Sequence, residues 1–336
     1  MDNEGHHDLP ARIADAISSV PKAWVPSSAK ALDRLGGAII DIPVAWLAQK
    51  KAKIDAQTEA FKLVEGAIAK AAADQVGSNP EVLERAIGVL VRKSYRQQAN
   101  REAVAVAMLE DLSSHAKDGP DVIETAPTEV IDDDWLNVFE RYAEDASSER
   151  MQNLWGRVLA GEVRTPGRYS LRTLRFLSEF SQVDALNFAE IANSSFSYVI
   201  PKILAVPEEQ QDISQLIAMQ SAGLLEGVTG TPGLTKRFVC NDEGKAFMIE
   251  GDVAIGFDAE PNFMVSVPGI VLTPLAIELL TLLPARDRRA AARTVAHAMR
   301  SSSIKAAHLM RVDATNTAHP MEILWDDTAA QNVAIP

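Results

Sequence analysis

Along most of the chain the apolar positions recur every three or four residues, the spacing of one buried helix face. The clearest run is 131–195. Asp132-Asp133-Asp134 opens a helix there, with its acids at the positive end of the helix dipole. Trp135, Val138, Phe139 and Tyr142 supply its apolar side. Ser147-Ser148 starts a second helix, with Met151, Leu154, Trp155 and Val158 on one face. Pro166-Gly167 predicts a turn, and Ser170 caps a third helix through Phe180. Ser181, with Asp184 three residues on, opens a fourth that reaches Asn193. The run reads as a compact four-helix unit.

Upstream the pattern is also helical. A short amphipathic helix is predicted over 8–20, and another begins near Ser27-Ser28. Asp41-Ile42-Pro43 starts a helix that runs to about Val76. Leu47, Ile54, Phe61 and Ile68 recur every seven residues, but their companions Lys50, Gln57, Val64 and Ala71 are only half apolar. One helix packed along one edge is favoured over a coiled coil. Ser78 with Glu81 makes a capping box for a helix reaching about Lys117, with a break expected near Gly88. Asp118-Gly119-Pro120 and Pro127 mark a linker.

After Phe196 the texture changes. Asp212 and Gln215 form a capping box for a helix ending at Gly223. Short β-like runs follow at 237–240, 246–249, 253–257 and 263–267, separated by the turn signals Asn241-Asp242-Glu243-Gly244 and Pro261-Asn262. Thr273-Pro274 starts a helix over 275–283, and 286–300 forms another. Residues 308–312 and 322–325 pair as strands. The fold class is α+β, dominantly helical. It divides into a helical N-terminal region (1–119), a helical motif domain (131–195) and an α+β, winged-helix-like C-terminal domain (196–327).

The motif domain carries a distinctive pattern: Leu154-Trp155, then Val158-Leu159-Ala160-Gly161-Glu162, then Pro166-Gly167, then Ser170-Leu171-Arg172-Thr173-Leu174. This resembles the bacterial domain-of-unknown-function family 2806. The resemblance implies a bacterial origin and a fold, and it carries no chemistry. The N-terminal region, with its early Gly and apolar-then-basic helix, is similar to other bacterial proteins linked to phage defence.

Composition narrows the choice of function. Hydrophobic residues make up 47% of the 336, enough for ordinary cores. The formal net charge of −13 works against nonspecific attraction to nucleic acid or anionic lipid. Cys240 is the one cysteine, so no internal disulfide forms, as expected of a reducing compartment. The opening Met1-Asp2-Asn3-Glu4 has no basic stretch before an apolar run, so no secretory signal is expected there. The apolar stretch 36–48 is shorter than a spanning helix needs, and Asp41 and Pro43 interrupt it. A cytoplasmic location follows, with surface attachment through 36–53 as an alternative.

Few residues fall in a pattern that carries chemistry. The histidines (6, 7, 115, 297, 308 and 319) show no metal-ligand spacing. No Gly-x-Ser-x-Gly and no phosphate-cradling Gly-x-x-x-x-Gly-Lys occurs. No catalytic residue, cofactor or metal is expected. Basic runs are the most informative feature that remains. Residues 85–101 hold Arg85, Arg92, Lys93, Arg96 and Arg101, and 164–175 hold Arg164, Arg168, Arg172 and Arg175, both without an acid. Residues 286–311 set Arg286, Arg288, Arg289, Arg293, Arg300, Lys305 and Arg311 against Asp287 alone. Such runs either face acids of the same chain, Glu140 and Glu144 among them, or bind an anion. The candidate anion or ion-pair site is Arg164, Arg168, Ser170, Arg172 and Arg175, at a helix N-terminus. Trp135, Trp155 and Glu162 belong to the motif core. The segment after 212 resembles a winged helix, but its reading helix carries no Lys or Arg. A protein partner or self-association is therefore expected, with Arg286, Arg288, Arg289 and Arg293 as the route to nucleic acid if there is one.

Overall fold

A computed structural model describes residues 20–36, 80–116, 130–205, 213–229, 234–284 and 286–327. The helices expected over 8–20 and 41–76, the seven-residue repeat, the apolar stretch 36–48, Ser78 and the linker lie outside these but for end residues. The fold is α+β and mostly helical. It divides into two compact units that meet at Ser178 and Glu179.

In the first unit a short 3₁₀ turn (Lys22–Trp24) leads into α1 (Val25–Gly36). Then come α2 (Pro80–Ala116), α3 (Asp133–Asp145), α4 (Glu149–Arg164) and α5 (Leu171–Glu179). No break occurs at Gly88: α2 runs straight through it. One glycine costs a helix only about 1 kcal/mol, and the 37-residue helix absorbs that. The C-terminal half of α2 is the buried half, with Val104, Met108, Leu109 and Leu112 inside. Asp132 caps α3 by accepting the Trp135 amide at 2.9 Å, and Ser148 caps α4. The core is built on aromatic rings. Trp135 stacks on Phe139 at 5.0 Å, Phe139 meets Trp155 edge-on at 5.7 Å, and Trp155 stacks on Tyr142 at 5.3 Å.

The second unit opens with α6 (Gln182–Asn193), started by the Ser181–Asp184 capping box. β1 (Val199–Pro201), α7 (Lys202–Ala205), α8 (Ser214–Ser221), β2 (Leu225–Glu226) and β3 (Leu234–Val239) follow. The expected Asp212–Gln215 box falls on Asp212, outside the described residues; the residue before α8, Ile213, makes no side-chain cap. α8 ends as expected at Gly223, at φ +83°, with Leu224 N–H reaching back to Met219 O at 2.9 Å. β4 (Lys245–Glu250), β5 (Val253–Asp258), β6 (Met264–Leu272), α9 (Pro274–Leu280), α10 (Arg288–Ala298), β7 (Ala306–Val312) and β8 (Ala318–Asp326) complete the unit.

Two antiparallel sheets result. In the first, β6 pairs with β1 on one edge and with β2 and β3 on the other. β1, followed by two helices, thus lies on one side of β6 and the β2 and β3 stretches on the other, with β4 and β5 between β3 and β6 in the chain. The second sheet runs β4-β5-β7-β8. Its inner face, with Met248, Ile255, Phe257, Leu309 and Trp325, shares a core with Ala292, Val295 and Ala296 of α10. β1 is launched by a tight turn in which Ser197 and Tyr198 both have positive φ. Glu250 accepts the Ser197 amide at 2.8 Å, and the Lys236 ammonium donates to Ser197 O at 2.7 Å. Burial pulls the Lys236 ammonium below its usual range, partly opposed by Glu250.

Candidate functional site

The motif segment is a structural lock between α4 and α5. Gly156 faces α2 so closely that a Cβ would stand 2.8 Å from Ala107 C and 2.9 Å from Met108 N. Gly161 faces the Tyr169 ring, where a Cβ would meet Cε2 at 2.6 Å. Both positions need the missing side chain for close approach. Glu162 is 1% exposed. Its carboxylate accepts the Gly167 amide at 2.5 Å and the Tyr169 amide at 3.0 Å, closing the turn after α4. Gly167 takes φ +82° in that turn. The Trp135 indole N–H donates to Tyr169 O at 2.7 Å and ties α3 to the same turn. Ser170 then accepts the Thr173 amide at 3.3 Å and starts α5. Trp135, Trp155 and Glu162 therefore sit together in and around this core.

The arginines of 164–175 differ in their surroundings. Arg164 is taken by Asp111 of α2 at 2.5 Å. Arg168 lies beside the Tyr169 ring at 5.7 Å, with its Nε buried and without a hydrogen bond. Arg172 and Arg175 are exposed on α5. Glu140 and Glu144 bond instead to Arg101, at 2.6 and 3.3 Å, and Glu140 also to Arg34 at 2.9 Å. Of the 85–101 run, Arg101 is consumed in this way. Arg85, Arg92, Lys93 and Arg96 are exposed on the N-terminal half of α2 beside Val89, Leu90 and Tyr95.

The C-terminal basic run is largely neutralised within its own unit. Arg286 pairs with Glu250 and donates to Ser195 O at 2.7 Å. Arg288 meets Asp252 at 3.3 Å, Arg293 meets Glu322 at 2.8 Å, and Arg300 meets Asp327 at 2.5 Å. Lys305 pairs with Glu260. Arg289 and Arg311 are exposed without an ion pair among the described residues. The outward side of α8 is Ser214, Gln215, Ile217, Ala218 and Ser221, with no charge. No group of three or more potential metal ligands gathers among the described residues.

One surface escaped the sequence reading. Across the second sheet the register aligns Phe247, Gly256, His308 and Ile323, with Ile249, Ala254, Met310 and Pro320 in the next row. This is the face turned away from α10. Phe247, Ile249 and Ile323 are 37, 41 and 65% exposed. Met310 and Phe247 lean over Gly256, where a Cβ would meet Met310 Sδ at 2.7 Å. An antiparallel sheet with a solvated face ordinarily makes that face polar. The run Lys245-Ala246-Phe247-Met248-Ile249 is apolar at both parities, and that was the available signal. Polar groups appear only at one end, where Asp258 bonds Lys245 at 3.0 Å and His308 at 3.1 Å.

Residues 85–225 match the model of a family described as "Protein of unknown function (DUF2806)". Over that stretch the chain is similar to the DUF2806 family. That region takes in the α4–α5 lock and continues through α8 into β2, so it spans parts of both units. No curated protein and no solved structure matches the chain. No described helix is long and apolar enough to cross a membrane.

Proposed function

We propose that this chain is a non-enzymatic interaction protein of the bacterial cytoplasm, and that its contact surface is the outer face of the second sheet. The carrying observation is the exposure of Phe247, Ile249 and Ile323 on one side of a paired sheet. Apolar patches of this kind are costly in a free protein and mark surfaces that another protein covers. The occupant is a heterologous protein with an apolar, less acidic contact face. A second copy brings the same net charge of −13 and is repelled. The likeness of the N-terminal region to phage-defence proteins supports a role in such a system.

A second reading, a nucleic-acid-binding regulator, is favoured by the winged-helix likeness of the segment after 212 in the sequence. Against it stand the uncharged face of α8 and the internal pairing of Arg286, Arg288 and Arg293. A helix that reads bases needs cations nearby to hold phosphates. The exposed cations of α2 belong to the other unit.

The test is affinity purification from the source cells of the wild type and of a Phe247→Ser/Ile323→Ser variant with an unchanged melting temperature. One protein species recovered in stoichiometric amount with the wild type and lost with the variant supports the proposal. Equal recovery with both, or co-purified nucleic acid in its place, overturns it.

A further inference from the structure

β6 has an open edge. Its residues alternate in the direction of their backbone groups. Phe263 O accepts from Cys240 N, so the odd positions face β3, whereas Leu272 N–H donates to Tyr198 O, so the even positions face the β1 side. On that side β1 reaches only from Gly269 to Val271. The N–H and C=O of Met264 and Ser266, and the C=O of Pro268, therefore have no strand opposite them among the described residues. Pro268 fits there because its missing N–H points away from the β3 ladder. No other backbone or side-chain group among the described residues bonds to these atoms.

A cleft of about 390 Å³ lies along this open edge. Met264 to Pro268 form one wall, and residues 201–203 and 298–304 form the others. Ile203, Met299 and Ile304 line it with apolar surface. No lining residue is acidic, although the chain as a whole is strongly so, and Lys202 and Arg300 stand at the cleft. Arg300 is already engaged with Asp327 at 2.5 Å, whereas Lys202 is exposed without an ion pair among the described residues.

We infer that this cleft binds an extended, acidic segment of a partner protein, which adds a strand to the free edge of β6. The backbone of Met264 and Ser266 supplies the hydrogen bonds, and the partner's alternate side chains enter the apolar wall or face Lys202. Five residues of β6 span about 13 Å at strand rise, which sets the length of the recognised segment. An isolated strand suits the site better than a second copy does. The edge is framed by α7 and the residues after α10, which keep another sheet edge away, and a second copy repeats the negative charge. The inference rests on the interaction reading above but uses a different surface.

The experiment measures binding of a fluorescent short peptide of alternating Val and Glu to the full chain by anisotropy. Saturable binding is expected, about tenfold or more tighter than for the Val and Lys counterpart, and lost when alternate peptide amides are N-methylated. Ser266→Pro removes the edge donor at the parity where Pro268 is already accommodated, and binding should disappear with it. Ser266→Ala should leave binding unchanged. If Ser266→Pro fails to fold, Ile203→Asp, which places a like charge at the cleft, is expected to weaken the acidic peptide selectively. Phe247→Ser/Ile323→Ser should bind the peptide as the wild type does, which keeps failure here distinct from failure of the sheet-face proposal. Absence of binding, equal binding of the N-methylated peptide, or a concentration-dependent dimer abolished by Ser266→Pro would overturn the inference.

Discussion

The Glu162 carboxylate accepts the Gly167 amide at 2.5 Å, from inside a core where it is almost wholly shielded from water. A carboxylate in such a place is usually suspected of chemistry. Here its oxygens serve the backbone of the turn that reverses the chain between α4 and α5. Glu162→Gln keeps the shape but loses the charged acceptor. It should cost about 1–3 kcal/mol, the range for a hydrogen bond to a charged group. Urea denaturation of the two proteins measures it, and an unchanged midpoint would deny the lock.

Two glycines of the same segment should respond differently. Gly156→Ala pushes a methyl into the backbone of α2 at Ala107 and Met108, so the helices must separate. Overpacking of that kind costs about 1–3 kcal/mol. Gly167→Ala meets nothing within 4 Å and pays only for φ +82°, about 1–2 kcal/mol. Adding room should tell them apart: Ala107→Gly removes the Ala107 Cβ contact but not the backbone ones, so it should recover part of the Gly156→Ala loss, while it should only add its own helix cost of about 1 kcal/mol to Gly167→Ala. Thermal melts of the four variants check this.

Arg172 is exposed on α5, and the acids of α3 that could have held it are bonded to Arg101. Arg172→Lys should therefore change stability by less than about 0.5 kcal/mol. A larger loss in the same melts would mean that the side chain has a structural partner after all.

The loop after β7 should respond to acid. The His319 hydrogen bond, then the Thr315 hydroxyl and the Thr317 amide, hold the Asp313 carboxyl well below the usual carboxylate range. A depressed folded pKa means that these bonds stabilise the loop fully above the unfolded value, about 3.9. The contribution is lost as pH falls through the lower, folded value. Amide exchange at Thr315 and Thr317, corrected for intrinsic rates, should stay slow at pH 5 and quicken near pH 2. Asp313→Asn should remove the difference.

Much of the local structure was legible because it is written in short-range chemistry. The Ser181–Asp184 box, the Asp132 and Ser148 caps, the Gly223 stop and the turns at Gly244 and Asn262 each need only neighbouring residues. What was not legible depends on distant pairing. Nothing near Arg164 in sequence points to Asp111, which lies 53 residues away. Nothing in the 286–311 run announces that Glu250, Asp252, Glu322 and Asp327 neutralise it. The open stretch of β6 follows from where β1 stops, which is a matter of sheet register.

The central claim is that the motif segment builds the fold while the outer sheet face makes the contact. The most direct measurement is recovery of the co-purifying protein with Glu162→Gln, made well below that variant's melting temperature. Undiminished recovery, beside its loss with the stable Phe247→Ser/Ile323→Ser variant, is the predicted result. Recovery abolished by Glu162→Gln at unchanged stability, and intact in the sheet-face variant, would place the functional site in the motif and contradict the account.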